Sequence, residues 1–62
     1  MEEITMKDGS KRNFPVEDCG EYRLYLCADI VIARELVHTL REDDKQARIG
    51  YDPTLGYYVK TI

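Results

Sequence analysis

Only one stretch of this chain repeats its apolar residues clearly at helical spacing. Ile30, Ala33, Val37 and Leu40 follow i, i+3, i+7, i+10, and Leu36 widens the stripe. The spacing predicts an amphipathic helix from Ile30 to about Asp44. Asp29 stands where its carboxylate can accept from the amides of the first turn. Arg34, Glu35, His38, Arg41 and Glu42 fall on the opposite, wet face. A lone helix with one apolar face needs cover from the rest of the chain. Tyr22 and Leu26 extend the same stripe backwards, so one helix from Glu21 to Asp43 is the competing reading.

Sixty-two residues hold at most one domain, which buries only about 60% of the surface its unfolded form exposes. They are too few for a cofactor-binding α/β enzyme, since one βαβ unit alone takes about 30 residues. Apolar residues at 44% and charged ones at 34% describe a globular chain and not a disordered one. There is no repeat, low-complexity tract or Gly/Ser/Pro linker, so residues 1–62 are expected to form a single α+β domain.

The segments around the helix read as strands. Ile4 and Met6 alternate with Glu3 and Thr5, Lys7-Asp8-Gly9-Ser10 supplies a turn, and Lys11 to Phe14 returns. A two-residue Asp8-Gly9 loop would set Phe14 opposite Glu3, off the face of Ile4 and Met6. A three-residue Lys7-Asp8-Gly9 loop pairs Met6 with Ser10 and Ile4 with Arg12, and it gathers Ile4, Met6 and Phe14 on one face. Register follows burial, so the longer loop is expected, with Gly9 in the left-handed conformation. Pro15 is expected to end that strand, and Val16 to Gly20 to form a connection or a single helical turn. Tyr22 to Cys27 has strand propensity. Its alternation sets Tyr22, Leu24 and Leu26 on one side and Arg23, Tyr25 and Cys27 on the other.

The C-terminal segment Gly50-Tyr51-Asp52-Pro53-Thr54-Leu55-Gly56-Tyr57-Tyr58 resembles chignolin, a designed minimal hairpin. The match lies in the leading Gly-Tyr-Asp-Pro, the Gly three residues after the Pro, and the penultimate aromatic. It departs at Thr54-Leu55, covers about ten residues, and implies a turn without implying an activity. The chemistry of the residues agrees: Asp52 can accept backbone hydrogens, Pro53 presets the first turn angle, and Gly56 supplies the positive φ. Carried over, the register sets Tyr51 opposite Tyr58. Ile49, Tyr51, Tyr58 and Ile62 then share one face, and Tyr57 and Val59 the other.

Little in the sequence points to chemistry. His38 lies on the wet helix face, and neither Cys19 nor Cys27 forms a recognisable nucleophile signature with it. Cys27 reads as a small core hydrophobe and Cys19 as a loop residue. Two thiols are too few for the disulfide framework of a small secreted domain. The seven- and ten-residue gaps among Cys19, Cys27 and His38 fit no zinc knuckle, and no metal or cofactor is expected. The four glycines are isolated, with no phosphate-cradling cluster. A net charge of −3, with acids interleaved among Arg34, Arg41, Lys45 and Arg48, makes nucleic acid an unfavoured partner. The acidic start Met1-Glu2-Glu3-Ile4 lacks a secretory layout, and no apolar run approaches the ~20 residues that span a bilayer. The expected setting is a cytoplasm, a host's if the gene is a phage's, with no membrane contact.

What remains is surface. The expected architecture is a small single-layer antiparallel sheet packed on one amphipathic helix, in the order ββ(β)αββ: an N-terminal hairpin, a third strand, the helix and a C-terminal hairpin. The face away from the helix is then open to a partner. The alternation above assigns Tyr25, Tyr57 and Val59 to it, with Arg12 or Arg23 nearby only if the strands neighbour each other. Glu42, Asp43 and Asp44 form a separate acidic candidate patch. The functional expectation is a non-enzymatic protein-interaction module, of the kind a phage encodes to inhibit or regulate a partner protein or complex. A homodimer is the alternative way to bury the open face. The competing function is a nucleic-acid-binding regulator using the first hairpin and the Arg-bearing helix.

Overall fold

The computed structural model describes residues 1–62. Its elements are β1 (Glu2–Thr5), β2 (Lys11–Phe14), β3 (Val16–Asp18), β4 (Arg23–Cys27), α1 (Ile30–Glu42), β5 (Ala47–Asp52) and β6 (Gly56–Thr61). The helix starts where its cap predicts. Asp29 is in extended backbone, and its carboxylate accepts from the Ile32 N–H at 2.9 Å. At the other end Asp44 adopts φ 61°. Its N–H donates to the Arg41 carbonyl and that of Lys45 to the Leu40 carbonyl, both at 3.1 Å. This is a Schellman stop with Asp where glycine is usual. Ala33, Leu36, Val37 and Leu40 are buried as the stripe predicts, whereas Ile30 is 36% exposed and Ile32 packs in its place.

The α+β class is as expected, with the strands divided between two antiparallel sheets: the pair β1-β2 and a four-stranded sheet in the order β3-β4-β6-β5. Arg23–Cys27 is a strand held between β3 and β6, so the long helix from Glu21 does not form. Its aromatic and apolar residues fit the pleat, and the Asp29 cap fixes the helix start at Ile30, after β4 has ended. Val16–Asp18 is also a strand and not a helical turn. Pro15 lacks an N–H but keeps its carbonyl, which accepts from the Leu26 N–H at 2.9 Å. Pro15 therefore passes the chain from one sheet to the other, and three residues are too few to show alternation.

The first hairpin has the expected three-residue loop. Ile4 pairs with Arg12, the Met6 N–H donates to the Ser10 carbonyl at 2.7 Å, and Gly9 has φ 89°. Inside the turn Asp8 accepts from the Ser10 hydroxyl and amide, which holds its carboxyl below the usual carboxylate value. Met6 and Phe14 are buried in the common core and Ile4 packs against it. Side chains tie both ends of this hairpin to the rest of the molecule. Glu2 accepts from the Tyr25 hydroxyl at 2.7 Å and from Arg23 at 3.2 Å. Lys7 donates to His38 Nε2 at 2.7 Å and lies 3.7 Å from Glu42.

The last hairpin departs from the chignolin register. Asp52 pairs with Gly56 and Tyr51 with Tyr57, which leaves the three-residue loop Pro53-Thr54-Leu55, one residue shorter than the resemblance implies. The turn chemistry itself is as read: the Asp52 carboxylate accepts from Thr54 and Leu55 amides at 2.7 and 3.2 Å, and Gly56 has φ 81°. A slip of one residue turns a strand over. Tyr57 and Val59 therefore join Ile49 and Tyr51 on the helix side, and Tyr58 faces outward. The rings of Tyr51 and Tyr57 meet edge to face at 4.9 Å between centroids, in place of the expected Tyr51–Tyr58 pair. Tyr25, Leu36, Leu40 and Val59 are the largest fully buried side chains of the core.

Candidate functional site

α1 covers one face of the four-stranded sheet, and the chain has no second helix to cover the other. The register places Glu17 beside Leu24, Leu24 beside Lys60, Leu26 beside Tyr58, Lys60 beside Arg48 and Tyr58 beside Gly50 on that outer face. Leu24, Leu26 and Tyr58 are each half-buried. The Tyr58 ring lies across β5 at Gly50, occupying the space where a Cβ would stand. A glycine in a strand leaves such a gap, and a cross-strand aromatic fills it. Lys60 extends the face towards Tyr22, its ammonium 4.4 Å from the ring centroid. Cys19 beside the Tyr22 hydroxyl raises that phenol above its ordinary value. The result is an apolar strip of Leu24, Leu26 and Tyr58, with Lys60 and Arg48 along one side and Glu17 at the other.

This is the opposite face of β4 and β6 from the one the sequence reading assigned. Tyr25 is 1% exposed and Val59 0%, so neither lies on an open surface. Burial pushes the Tyr25 phenol above its ordinary value, and the Glu2 carboxylate it donates to adds to that. Tyr57 is half-buried on the helix side, packed against the core. Arg23 is exposed but turned to Glu2 and to Asp18, 3.9 Å away. Glu42 lies between Lys7 and His38, 3.5 Å from the His38 ring. Asp43 and Asp44 build the helix stop. The seven candidate residues therefore do not meet at one site: Tyr25, Tyr57 and Val59 belong to the helix-side face, and the three acids to the helix exit.

One signal in the sequence pointed to the correct side. Cys27 reads as core, and Tyr25 shares its face by alternation, so burying one buries the other. Cys27 is indeed buried and Cys19 exposed, both as free thiols. Burial, with Asp29 nearby, pushes the Cys27 thiol up to about 11. Arg48, Lys60 and Gly50 carried no such signal, because their meeting depends on the β5–β6 register.

Other features are local. An open groove of about 510 Å³ between the first hairpin and the helix is lined by Met6, Lys7, Asp8, Arg34, Glu35 and His38. Its one histidine is already engaged by Lys7. No three His, Cys, Asp or Glu side chains converge on a point that could hold a metal ion. No helix is long and apolar enough to cross a membrane. No family model matches the sequence, and neither a curated protein nor a solved structure matches the chain significantly.

Proposed function

We propose that this chain is a non-enzymatic protein-interaction module that docks a partner protein on the outer face of its four-stranded sheet. The observation that carries the reading is the strip Leu24, Leu26 and Tyr58, held rigid by the sheet and left without cover by the chain's only helix. Aromatic and arginine side chains are the types that anchor protein interfaces. The partner of matching chemistry has an apolar centre and an acidic residue to meet Lys60. A chain this small acts by occupying such a surface, which is the action of an inhibitor or regulator, including one from a phage. Nucleic acid is the less favoured partner: Lys7 is engaged with Glu42 and His38, and Arg41 donates to a backbone carbonyl. Those two cations already have partners within the chain, although both stay exposed.

The test is affinity capture from the source cells with three chains: the native one, Leu26→Lys on the outer face, and Arg34→Glu on the helix. Circular dichroism checks that each is folded. Expected is a partner held by the native and Arg34→Glu chains and lost from Leu26→Lys. A partner retained by Leu26→Lys, or lost only from Arg34→Glu, contradicts the reading.

A further inference from the structure

The four-stranded sheet has two free edges of different character. β3 has three residues, two of them acidic, and follows Pro15; short charged edges of this kind discourage further pairing. β5 has six residues and leaves Ile49 38% and Tyr51 61% exposed. Hydrogen-bond alternation shows which of its peptide groups are free. The Ile62 N–H donates to the Gln46 carbonyl, so Gln46, Arg48, Gly50 and Asp52 turn their peptide groups toward β6. Ala47, Ile49 and Tyr51 turn theirs outward. The Ala47 carbonyl is already occupied, since Arg41 donates to it from Nε at 3.2 Å and Nη2 at 3.0 Å. Ile49 and Tyr51 have no such partner.

We propose that β5 pairs antiparallel with β5 of a second copy about a two-fold axis at Gly50, joining two four-stranded sheets into one of eight strands. In this register Ile49 and the second copy's Tyr51 exchange both hydrogen bonds, and symmetry repeats the exchange. Ala47 meets the second copy's Pro53, which has no N–H to offer, and the Ala47 carbonyl, held by Arg41, needs none. Ile49 and Tyr51 meet as an apolar pair on the helix side.

Charge selects the same register. Arg48 stands opposite Lys60 across β5–β6, and like charges so placed repel. Neither makes an ion pair within the chain, whose ion pairs join Lys7, Arg23 and His38 to acids. With the axis at Gly50, Arg48 faces the second copy's Asp52 on the outer face. Asp52 uses Oδ1 for the Thr54 and Leu55 amides, which leaves Oδ2 for the guanidinium. The neighbouring registers fit worse. An axis at Ile49 sets a Tyr51 N–H against the occupied Ala47 carbonyl and an arginine against Gly50. An axis at Tyr51 sets Ile49 against Pro53, which cannot donate. Gly50 at the axis adds no side chain to obstruct the approach. This pairing uses the sheet edge and leaves Leu24 and Leu26 free, so it stands or falls independently of partner docking on the outer face.

Sedimentation equilibrium on the full chain, from about 10 μM to about 1 mM, reads the association directly. The expected mass rises from 7.2 kDa toward twice that value. Ile49→Pro removes an outward N–H and the side chain that meets the second copy's Tyr51 but no hydrogen bond to β6, a loss an edge strand tolerates, and is expected to remain monomeric with an unchanged circular dichroism spectrum. Should that variant unfold, Arg48→Glu sets acid against Asp52 and is expected to raise the dimer Kd about tenfold. Hydrogen exchange of the unsubstituted chain gives a reading free of mutation: the Ile49 and Tyr51 amides gain protection as concentration rises. A monomer throughout the range, a dimer unaffected by both substitutions, or Ile49 and Tyr51 amides unprotected in the dimer would overturn the proposal.

Discussion

At the scale of single residues, two positions hold a conformation or charge state against its ordinary preference. Asp44 sits at φ 61° at the end of α1, where a side chain costs energy that glycine does not incur, and its negative charge lies at the unfavourable end of the helix dipole. Asp44→Gly is expected to stabilise the fold by about 0.5–1 kcal/mol in urea unfolding. Cys27 is the second. Its thiol is raised by burial from 9.0 to about 11. Below the lower value both folded and unfolded chains keep the proton. Between the two values the unfolded chain releases it and the folded chain does not, so stability falls with rising pH across that window. Cys27→Ala is expected to flatten the fall when unfolding is followed from pH 8 to about pH 11. An equal slope in both chains would show that the thiol contributes nothing to it.

At the scale of elements, the two hairpins show what local sequence can and cannot decide. The first was legible because Phe14 tests the register: only the three-residue loop gathers it with Ile4 and Met6. The last hairpin has apolar residues at both Tyr57 and Tyr58, so either register buries a tyrosine and the loop length is undetermined by pattern. The helix was legible from its stripe and cap. β3 was not, because its place depends on a carbonyl of Pro15 reaching Leu26 across the sheet. Two substitutions test how these elements are joined. Tyr25→Phe removes the hydroxyl that holds Glu2, and is expected to cost about 1 kcal/mol and to speed amide exchange in β1. Gly50→Ala drives the Tyr58 ring off β5. The ring is the far end of a side chain on an open face and can swing aside, so the expected result is nearly unchanged stability. The accompanying NMR signature is loss of the upfield ring-current shift at residue 50.

At the scale of the whole molecule, the division of labour between the two sheet faces follows from one register. The helix stripe, the first hairpin's Met6 and Phe14, and the inward residues Tyr25 and Val59 make a single core. The outward residues Leu24, Leu26 and Tyr58 are then the surplus apolar surface of a chain with no second helix to cover it. The net charge of −3 is patterned and not uniform: acids gather at the helix exit and around β3, while Arg48 and Lys60 stand together on the outer face. The candidate site was half legible in these terms. An open sheet face could be expected from one helix and several strands, but alternation alone set Tyr25 on the wrong side of it, where packing with Cys27 buries it. The direct measurement of that face is the relaxation of side-chain NMR signals by a soluble gadolinium chelate. The expected result is strong broadening of the Leu24 and Leu26 methyl groups and the Tyr58 ring, with Val59, Leu36 and the Tyr25 ring protected. Broadening of Val59 and Tyr25 with protection of Leu24 and Leu26 would place the open face on the other side of the sheet and contradict the assignment.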